Sequence, residues 1–344
     1  MNEAEREESP AETLFRLLSG KWISAALSAA VSLGLPEALA RRACDLDQLR
    51  LELGCEPSSL ARLLGVLQAE GFVERDAEGL YRLSVRGELL REGSMGALLR
   101  FIAAPFAWNP WSSLAPALRS GRSAFEISEG MPLFDYLEAH PAEAEIYHRA
   151  IDGFTRHEAR ALAARFDFSQ RTHVADLGGG RGGLIIELLQ HWPHLRATLI
   201  DRSAAIAQAK PAIAEAQLEH RASLCVGDFF APLPGPFEVC VLKHVLHNWD
   251  DAPALRILQQ AKAALAPGGC LLVIEALLFP SDRPSMGRRF DLEMMTLCGP
   301  GRVRSKPEMR RLLHGAGLRL ARSEALIGET RLLVCEAIED ANKL

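Results

Sequence analysis

A run of glycines flanked by acidic residues is the first feature of this chain that could bind a small molecule. The segment 176–183 reads DLGGGRGG and stands between a short apolar run and a helical one. Glycines at such a turn let the backbone approach a ligand closely, and the helix that follows offers free N–H groups. Gly178, Gly180 and Gly183 fit the pattern G-x-G-x-x-G, which also describes NAD sites. Asp176, however, would repel a pyrophosphate and could help to hold a cationic amino-acid end.

Two further carboxylates follow the next two apolar segments. Asp201 ends the second segment, where it could accept hydrogen bonds from both hydroxyls of a ribose. Asp228 ends the third, beside Phe229, and offers an acceptor for an adenine amine next to an aromatic face. Tight strand–helix packing would explain the glycines but not three acids. Because S-adenosylmethionine (SAM) carries a cationic sulfonium and ammonium, the acids predict SAM as the cofactor, with NAD as the less favoured alternative.

A histidine-rich stretch follows the fourth apolar segment, where residues 243–251 read KHVLHNWDD. An imidazole has an unperturbed pKa of about 6.5, so here it could accept the proton of a phenol as a methyl sulfonium is attacked. Glu275 ends the fifth apolar segment, beside the fourth in a doubly wound sheet. Its carboxylate could orient the imidazole and stabilise its cation.

The elements that must position these residues alternate regularly from Thr172 onward. Each apolar segment is followed by a turn and a helical stretch: THVADLGGG, RATLIDRS, ASLCVGDFF, EVCVLKHVL and GGCLLVIEALL. This alternation predicts an α/β fold with a doubly wound parallel sheet that binds ligands at the carboxyl ends of its strands. A helix from about Pro307 to Gly315 and a last strand, RLLVCEAI, would close the sheet.

The N-terminal part predicts a mainly α-helical winged-helix unit. Residues 14–39 are apolar on more than one face, as expected for helices that meet another subunit. A short helix at 45–53, a second one capped by residues 57–59, and two short strands in FVERDAEGLYRLS follow. Residues 1–100 hold 12 Lys and Arg against 16 Asp and Glu, and the second helix carries only Arg62. A dimerising module is therefore favoured over a DNA-binding regulator, which stays an alternative.

Composition limits the remaining possibilities. The 344 residues, 48% hydrophobic and with a net charge of −5, fit two cores and disfavour general binding to nucleic acids or anionic membranes. The seven cysteines are scattered without a C-x-x-C pair, so we predict neither a zinc site nor a disulfide framework, and a cytoplasmic protein with reduced thiols. No window holds about 18 uninterrupted apolar residues. We predict a winged-helix dimerisation domain at 1–97, an aromatic-rich helical linker and lid at 98–168, and the cofactor-binding domain at 169–344.

The chain resembles the dimeric class I SAM-dependent O-methyltransferases of plant phenolic and bacterial antibiotic pathways. The resemblance covers nearly the whole chain, and its most specific motifs occur in order: VADLGGGRGG, VGDFF, LKHVLHNWDD, IEALLFP and FDLEMM. It implies a homodimer that needs no metal and methylates a hydroxyl, expected to be phenolic, of a small secondary metabolite. It also implies roles for individual residues.

By this resemblance His247 is the general base and Glu275 is one of two acids that flank it. The residues expected to contact SAM are Asp176, Gly178, Gly180, Asp201, Asp228, Phe229, Lys243 and Thr155. The residues expected to contact the acceptor are Trp108, Trp111, Met131, Phe134, Ile151, Asn248, Met294 and Met295.

Three positions depart from the family pattern. Val303 stands where a second acid is common, Asn248 where Asp is common, and Ile151 where many phenol-specific members have Met. A base with one orienting acid would suit an acidic acceptor such as a phenol or carboxyl. The alternative is a SAM-binding relative that performs C- or N-methylation, decarboxylation, hydroxylation or pericyclic chemistry.

Overall fold

The computed structural model describes residues 8–92, 95–280 and 285–338. The chain divides into two compact units, residues 1–105 and 106–344. The domain boundaries after residues 97 and 168 stay predictions, and the outer ends of the predicted domains, 1–7 and 339–344, lie outside the described residues.

The first unit has the predicted order of helix, helix and hairpin. Its elements are α1 (Pro10–Ser32), α2 (Leu35–Arg41), α3 (Leu46–Leu53), α4 (Pro57–Ala69), β1 (Val73–Arg75), β2 (Tyr81–Leu83), a 3-10 helix (Gly87–Leu90) and α5 (Gly96–Ala103). The two strands pair antiparallel. One prediction was wrong in detail: the cap of α4 is Glu56, whose carboxylate accepts the backbone N–H groups of Ser58 and Ser59 at 3.0 and 2.7 Å. Pro57, which lacks an N–H, takes the first helical position instead.

Helix α1 leaves many large apolar side chains exposed on this unit. These are Leu14, Phe15, Leu17, Leu18 and Trp22. By length and composition alone the helix could cross a membrane, with a mean hydropathy of 1.2 and 17% of its apolar window buried. That is weak evidence, because a helix that packs against another protein chain passes the same test.

The second unit begins with a helical segment. Its elements are α6 (Pro105–Trp108), a 3-10 helix (Asn109–Ser113), α7 (Leu114–Ser120), α8 (Ala124–Glu129), α9 (Leu133–Ala139) and the long α10 (Pro141–Arg165). Helix α10 packs against the first helix of the sheet domain, and its carboxyl-terminal half is buried at Ala159, Leu162 and Ala163.

The sheet domain alternates strands and helices as predicted. Its elements are β3 (His173–Leu177), α11 (Gly183–His191), β4 (Arg196–Asp201), α12 (Ser203–Glu215), β5 (Ala222–Val226), β6 (Phe237–Lys243), a 3-10 helix (Leu246–Asn248), α13 (Asp251–Ala263), β7 (Leu265–Leu278), α14 (Met286–Cys298), β8 (Arg304–Ser305), α15 (Lys306–Gly315), β9 (Leu318–Ile327) and β10 (Thr330–Ala337). The strand order is β5-β4-β3-β6-β7-β10-β9, with β8 beside β7. Strands β3 to β7 run parallel, and β10 is antiparallel to both neighbours.

Alternating side chains of the central strands fill two cores, which confirms the doubly wound fold. Val239 and Val241 of β6 face one core, and Cys240 and Leu242 face the other. The strand order reverses between β3 and β6, so the loops after these two strands open a crevice at the carboxyl edge of the sheet. Both predicted functional segments lie at this crevice.

Candidate active site

The glycine-rich turn after β3 and one face of α10 border a small cleft. The cleft is lined by His148, Ile151, Asp152, Thr155, Asp176, Gly178, Gly179, Gly180, Arg181, Leu184 and Lys243. It therefore brings together five residues predicted to contact the cofactor: Thr155, Asp176, Gly178, Gly180 and Lys243. Ile151, predicted to contact the acceptor, lies in the same cleft.

Asp176 is a buried carboxyl group of the cleft. Its side chain is 1% exposed, and Oδ2 has no hydrogen-bond partner in the described part of the chain. Burial, with a contribution from Asp201, raises the pKa of Asp176 to about 7, although Lys243 opposes the shift. A Cβ at Gly179 would lie 2.5 Å from Oδ2, so glycine is required there. A buried carboxyl oxygen without a partner is suited to a cationic ligand.

Asp201 fixes the glycine-rich turn from the end of β4. Its Oδ2 accepts the backbone N–H of Gly180 at 2.8 Å, and its Oδ1 accepts that of Arg202 at 2.7 Å. Gly180 has a φ of +57°, which a residue with a side chain adopts only at a cost. Burial raises the pKa of Asp201, whereas these two hydrogen bonds lower it. The Asp201 carboxylate thus borders the cleft and holds its backbone in place.

The third predicted acid is placed differently. Asp228 is exposed, and its carboxylate accepts the N–H of Phe230 at 2.9 Å. Phe229 lies against the glycine-rich turn, since a Cβ at Gly178 would be 3.4 Å from Phe229 Cε1. Of this pair, only the aromatic ring borders the turn directly.

Helix α10 contributes two cleft residues that were not predicted from the sequence, His148 and Asp152. They share one face of the helix with Thr155, at spacings of four and three. A Cβ at Gly183 would lie 2.1 Å from Asp152 Oδ1, so the start of α11 approaches this face closely. The helical spacing back from Thr155, which was already predicted, was the signal that could have found them.

His247 and Glu275 form a buried pair beside this cleft. His247 lies in the 3-10 helix after β6, and its Nδ1 is 2.7 Å from Glu275 Oε2. Glu275 Oε1 accepts the backbone N–H groups of Leu246 and His247 at 2.8 and 3.3 Å. Despite burial, the hydrogen bond from His247 and the charges of His247 and His244 lower the pKa of Glu275. The ionised carboxylate makes Nδ1 the donor, so a neutral His247 ring carries its lone pair on Nε2.

Arg304 holds the turn that carries His247. Its buried guanidinium donates to the carbonyl oxygens of Leu246 and Trp249 at 2.9 and 2.8 Å, and to Asp251 Oδ1 at 2.9 Å. The backbone N–H of Arg302 donates to the His247 carbonyl at 2.8 Å. Arg304 was not predicted from the sequence, because its partners are main-chain carbonyl groups 58 and 55 residues away in the chain, which no local pattern indicates.

Val303 is buried and places no acid beside His247. A different carboxylate, Glu158 of α10, lies nearby and was not predicted. It contacts His244 Nε2 at 2.9 Å and Lys243 Nζ at 3.3 Å. His244 Nδ1 in turn lies 3.8 Å from Glu275 Oε2. Two carboxylates therefore face this histidine-rich stretch, but only Glu275 touches His247 directly.

The predicted acceptor residues fall on several elements. Met294 and Met295 lie on α14, whose Phe290 packs edge-on against the His247 ring at 5.0 Å. Asn248 accepts a hydrogen bond from the Cys298 thiol of α14 at 3.4 Å and donates one to the His244 carbonyl at 3.2 Å. The 3-10 helix Asn109–Ser113 and α8 both contact α14. The remaining predicted acceptor residues are Trp108 in α6, Trp111 in that 3-10 helix, Met131 between α8 and α9, and Phe134 in α9.

Two family models match the chain. The O-methyltransferase domain model matches residues 111–319, and the O-methyltransferase dimerisation domain model matches residues 15–92. The first match alone covers more than half of the chain.

Individual relatives are similar over most of their length. Mitomycin biosynthesis 6-O-methyltransferase from Streptomyces lavendulae is 33% identical over 317 residues, which are 91% of this chain and 90% of that protein. Aclacinomycin 10-hydroxylase RdmB from Streptomyces purpurascens is 34% identical over 315 residues, 89% of this chain and 84% of that protein.

One similar solved structure is that of the O-methyltransferase NcsB1 from neocarzinostatin biosynthesis, in complex with SAM and 2-hydroxy-5-methyl naphthoic acid. It is 29% identical, has a TM-score of 0.74, and the match covers 92% of this chain and 96% of that chain. The predicted fold class and family are confirmed. With an O-methyltransferase domain and an O-methyltransferase dimerisation domain, this chain belongs to the O-methyltransferase family.

Proposed function

We propose that this protein transfers the methyl group of SAM to a phenolic hydroxyl of a small secondary metabolite, with His247 as the general base. The observation that carries the proposal is the buried pair of His247 and Glu275, 2.7 Å apart, at the carboxyl edge of the sheet beside the glycine-rich cleft. A base held in one orientation by an ionised carboxylate is the arrangement that proton abstraction needs.

The cleft suits SAM in charge and shape. Asp176 Oδ2, buried and without a described partner, offers an acceptor for the cationic amino-acid end, next to the backbone of Gly178 and Gly180. Asp201 lies where the ribose hydroxyls would bind, and Phe229 offers an apolar face to the adenine. When bound, SAM supplies an electrophilic methyl group. The SAM complex of NcsB1 supports this assignment.

His247 and Glu275 divide the proton chemistry between them. With Nδ1–H donated to Glu275, the lone pair on Nε2 is free to accept the proton of the acceptor hydroxyl. The ionised Glu275 carboxylate stabilises the imidazolium that results. The orientation of this carboxylate is fixed, because its other oxygen accepts backbone N–H groups. The hydroxyl oxygen becomes a better nucleophile as it loses its proton.

The side chains around His247 favour a flat aromatic acceptor. Phe290 packs against the base, and Met294 and Met295 lie on the same helix. Aromatic rings and thioethers form favourable contacts with planar rings. The small molecule bound with SAM in the NcsB1 structure is a hydroxynaphthoic acid, which is of this class.

A second chemistry has one specific argument in its favour. Val303 leaves His247 with a single orienting acid, and the relative RdmB is named as a hydroxylase rather than a methyltransferase. On this alternative the chain would bind SAM without transferring its methyl group to oxygen. The atom to which the methyl group is transferred distinguishes O-methylation from this alternative.

We also propose that the protein acts as a cytoplasmic homodimer formed through the first unit. The dimerisation-domain match at residues 15–92 and the exposed apolar side chains of α1 support this assembly. Burying those side chains against a second copy would remove a large apolar surface from water.

The experiment uses SAM labelled with ¹³C at its methyl group and a panel of acceptors: 2-hydroxy-5-methyl-1-naphthoic acid, 4-hydroxybenzoate, and their amino analogues. We expect S-adenosylhomocysteine and a labelled methyl ether, identified by mass spectrometry and by a carbon shift typical of O–CH3. A label found on carbon or nitrogen would contradict O-methylation. Binding of SAM with no methylated product from any phenol would favour the alternative.

A further inference from the structure

Glu158 is a fully buried carboxylate, and the methyl transfer proposed above assigns it no role. It lies on α10 one turn after Thr155, with no measurable exposure. Its Oε1 and Oε2 lie 2.9 and 3.0 Å from His244 Nε2, and Oε2 also accepts from Lys243 Nζ at 3.3 Å. A buried acid in a close-packed interior is costly unless it is paired, and this one is paired with two consecutive residues of the loop after β6.

His244 is held in an unusual backbone conformation. Its φ is +55°, in the left-handed region that residues with side chains seldom adopt. In this conformation the ring lies between two carboxylates, with Nε2 2.9 Å from Glu158 Oε1 and Nδ1 3.8 Å from Glu275 Oε2. The described hydrogen bonds leave Nδ1 without a partner. Strain that persists at such a position is usually part of how a site works.

We propose that Glu158 and His244 form a positioning pair that acts through Glu275 on His247, so that Glu158 replaces the second acid absent at Val303. The inference rests on the proposed role of His247 as the base. Glu158 fixes the His244 ring and its positive charge, and that charge keeps the Glu275 carboxylate ionised and oriented toward the two histidines. Glu158 is not a catalytic residue, because it touches neither cofactor nor acceptor in this arrangement.

The charges around His244 are consistent with this role. Burial lowers the pKa of His244, and so does Lys243, but Glu158 and Glu275 outweigh them and the net shift is upward. Burial raises the pKa of Glu158, but His244 and Lys243 reverse the shift and bring it to about 2. With His244 protonated, Glu158, Lys243, His244 and Glu275 carry no net charge, which makes the cluster tolerable in the interior.

A double-mutant cycle distinguishes this role from simple packing. We expect Glu158→Gln to lower kcat roughly tenfold at saturating SAM, with 2-hydroxy-5-methyl-1-naphthoic acid as the acceptor. In a Glu275→Gln background the same change should lower kcat less than about twofold, because the group through which it acts has gone. At saturating SAM, kcat does not depend on cofactor affinity. A change in SAM binding that reaches the cleft through Lys243 therefore does not contribute to the measured loss. Equal losses in both backgrounds would overturn the proposal.

A second measurement needs no acceptor. In protein labelled with ¹⁵N-histidine, Glu158→Gln should lower the pH at which His244 loses its proton, because it removes an attached negative charge. The matched control is Glu187→Gln, which removes another buried carboxylate bound to α10 through Arg160 but lies outside this cluster. The control should change neither the titration nor kcat. An unchanged His244 titration in Glu158→Gln would refute the pair, whereas full activity of His247→Gln would refute the proposed base instead.

Discussion

Asp176 is a carboxyl group whose charge depends on the ligand it meets. In the protein alone, burial favours its neutral form and raises its pKa from 3.8 to about 7. Its protonation therefore stabilises the fold below about pH 4, and this contribution is lost as pH rises toward 7. A cationic ligand reverses the preference, since it favours the ionised carboxylate.

Binding of SAM should therefore weaken as the pH falls. Between pH 7 and pH 5.5 we expect the Kd for SAM, measured by calorimetry, to rise about tenfold, because a proton must leave Asp176 on binding. The ammonium of SAM stays protonated throughout this range. Asp176→Asn should bind more weakly at pH 7 and show little change with pH. A wild-type affinity that is flat over this range would contradict the role of Asp176.

At the scale of elements, the position of His247, the proposed base, depends on a short turn that is held by residues outside it. The 3-10 helix Leu246–Asn248 is too short to fix its own geometry. Arg304 donates to the carbonyl of Leu246 and to that of Trp249, the residue after the helix, and Glu275 accepts the N–H groups of Leu246 and His247. The strand β7 and the segment before α15 thus determine where the His247 ring lies.

Replacing the buried guanidinium should damage both stability and catalysis. We expect Arg304→Met to lower the free energy of unfolding by about 2–3 kcal/mol, because two buried carbonyl groups lose their donor. We also expect kcat to fall roughly tenfold or more as the turn shifts. Urea unfolding and initial rates measure the two effects.

The matched control for this change is Asp251→Asn. Asp251 contacts the same guanidinium, but its side chain is 62% exposed, so the exchange should cost no more than about 0.5 kcal/mol. A stable and fully active Arg304→Met enzyme would show that the turn keeps its conformation without the hydrogen bonds from Arg304.

The elements themselves were predictable to different degrees. Strands β3, β4 and β6 and the second half of β7 follow from their apolar runs, because burial on both faces leaves an unbroken signal. Strand β5 lies at one edge of the sheet and has no fully buried residue, but its apolar run still predicted it. Strand β9 was missed because LRLARSEALI has exposed polar residues on both sides, as expected at the edge of a sheet. Its position is fixed by pairing with β10, which no local pattern reveals.

The residues of the site were also predictable to different degrees. Asp176, Gly178 and His247 stand in motifs whose chemistry can be read locally. Glu158 and Arg304 act on the loop after β6 from 86 and 58 residues away in the chain. Such pairings depend on tertiary packing, so one sequence without the fold could not identify them. Whether each predicted site residue has its expected role stays a prediction.

At the scale of the whole molecule, the exposed apolar side of α1 is the feature that indicates an interface with a second copy of the chain. Leu18 and Trp22 are each 64% exposed, in a domain that matches the O-methyltransferase dimerisation model. Exposed apolar area of this kind is costly in water and is commonly covered by another chain.

Charges on this face should separate the subunits. We expect wild-type protein to show the mass of two chains in light scattering, and Leu18→Asp with Trp22→Asp to show that of one. Both side chains are already exposed in one protomer, so its fold should tolerate the change. Val85→Asp, at another exposed apolar residue of the same unit, should leave the dimer intact. A wild-type protein with the mass of a single chain would contradict the assembly.

The most direct test of the proposed mechanism compares His247→Gln with wild type for methyl transfer to 2-hydroxy-5-methyl-1-naphthoic acid, with EDTA present. We predict that the variant binds SAM with unchanged affinity, because His247 does not line the cofactor cleft, and that its kcat falls by about 10²–10⁴. Retention of wild-type kcat by a variant that binds SAM normally would show that His247 is not the base.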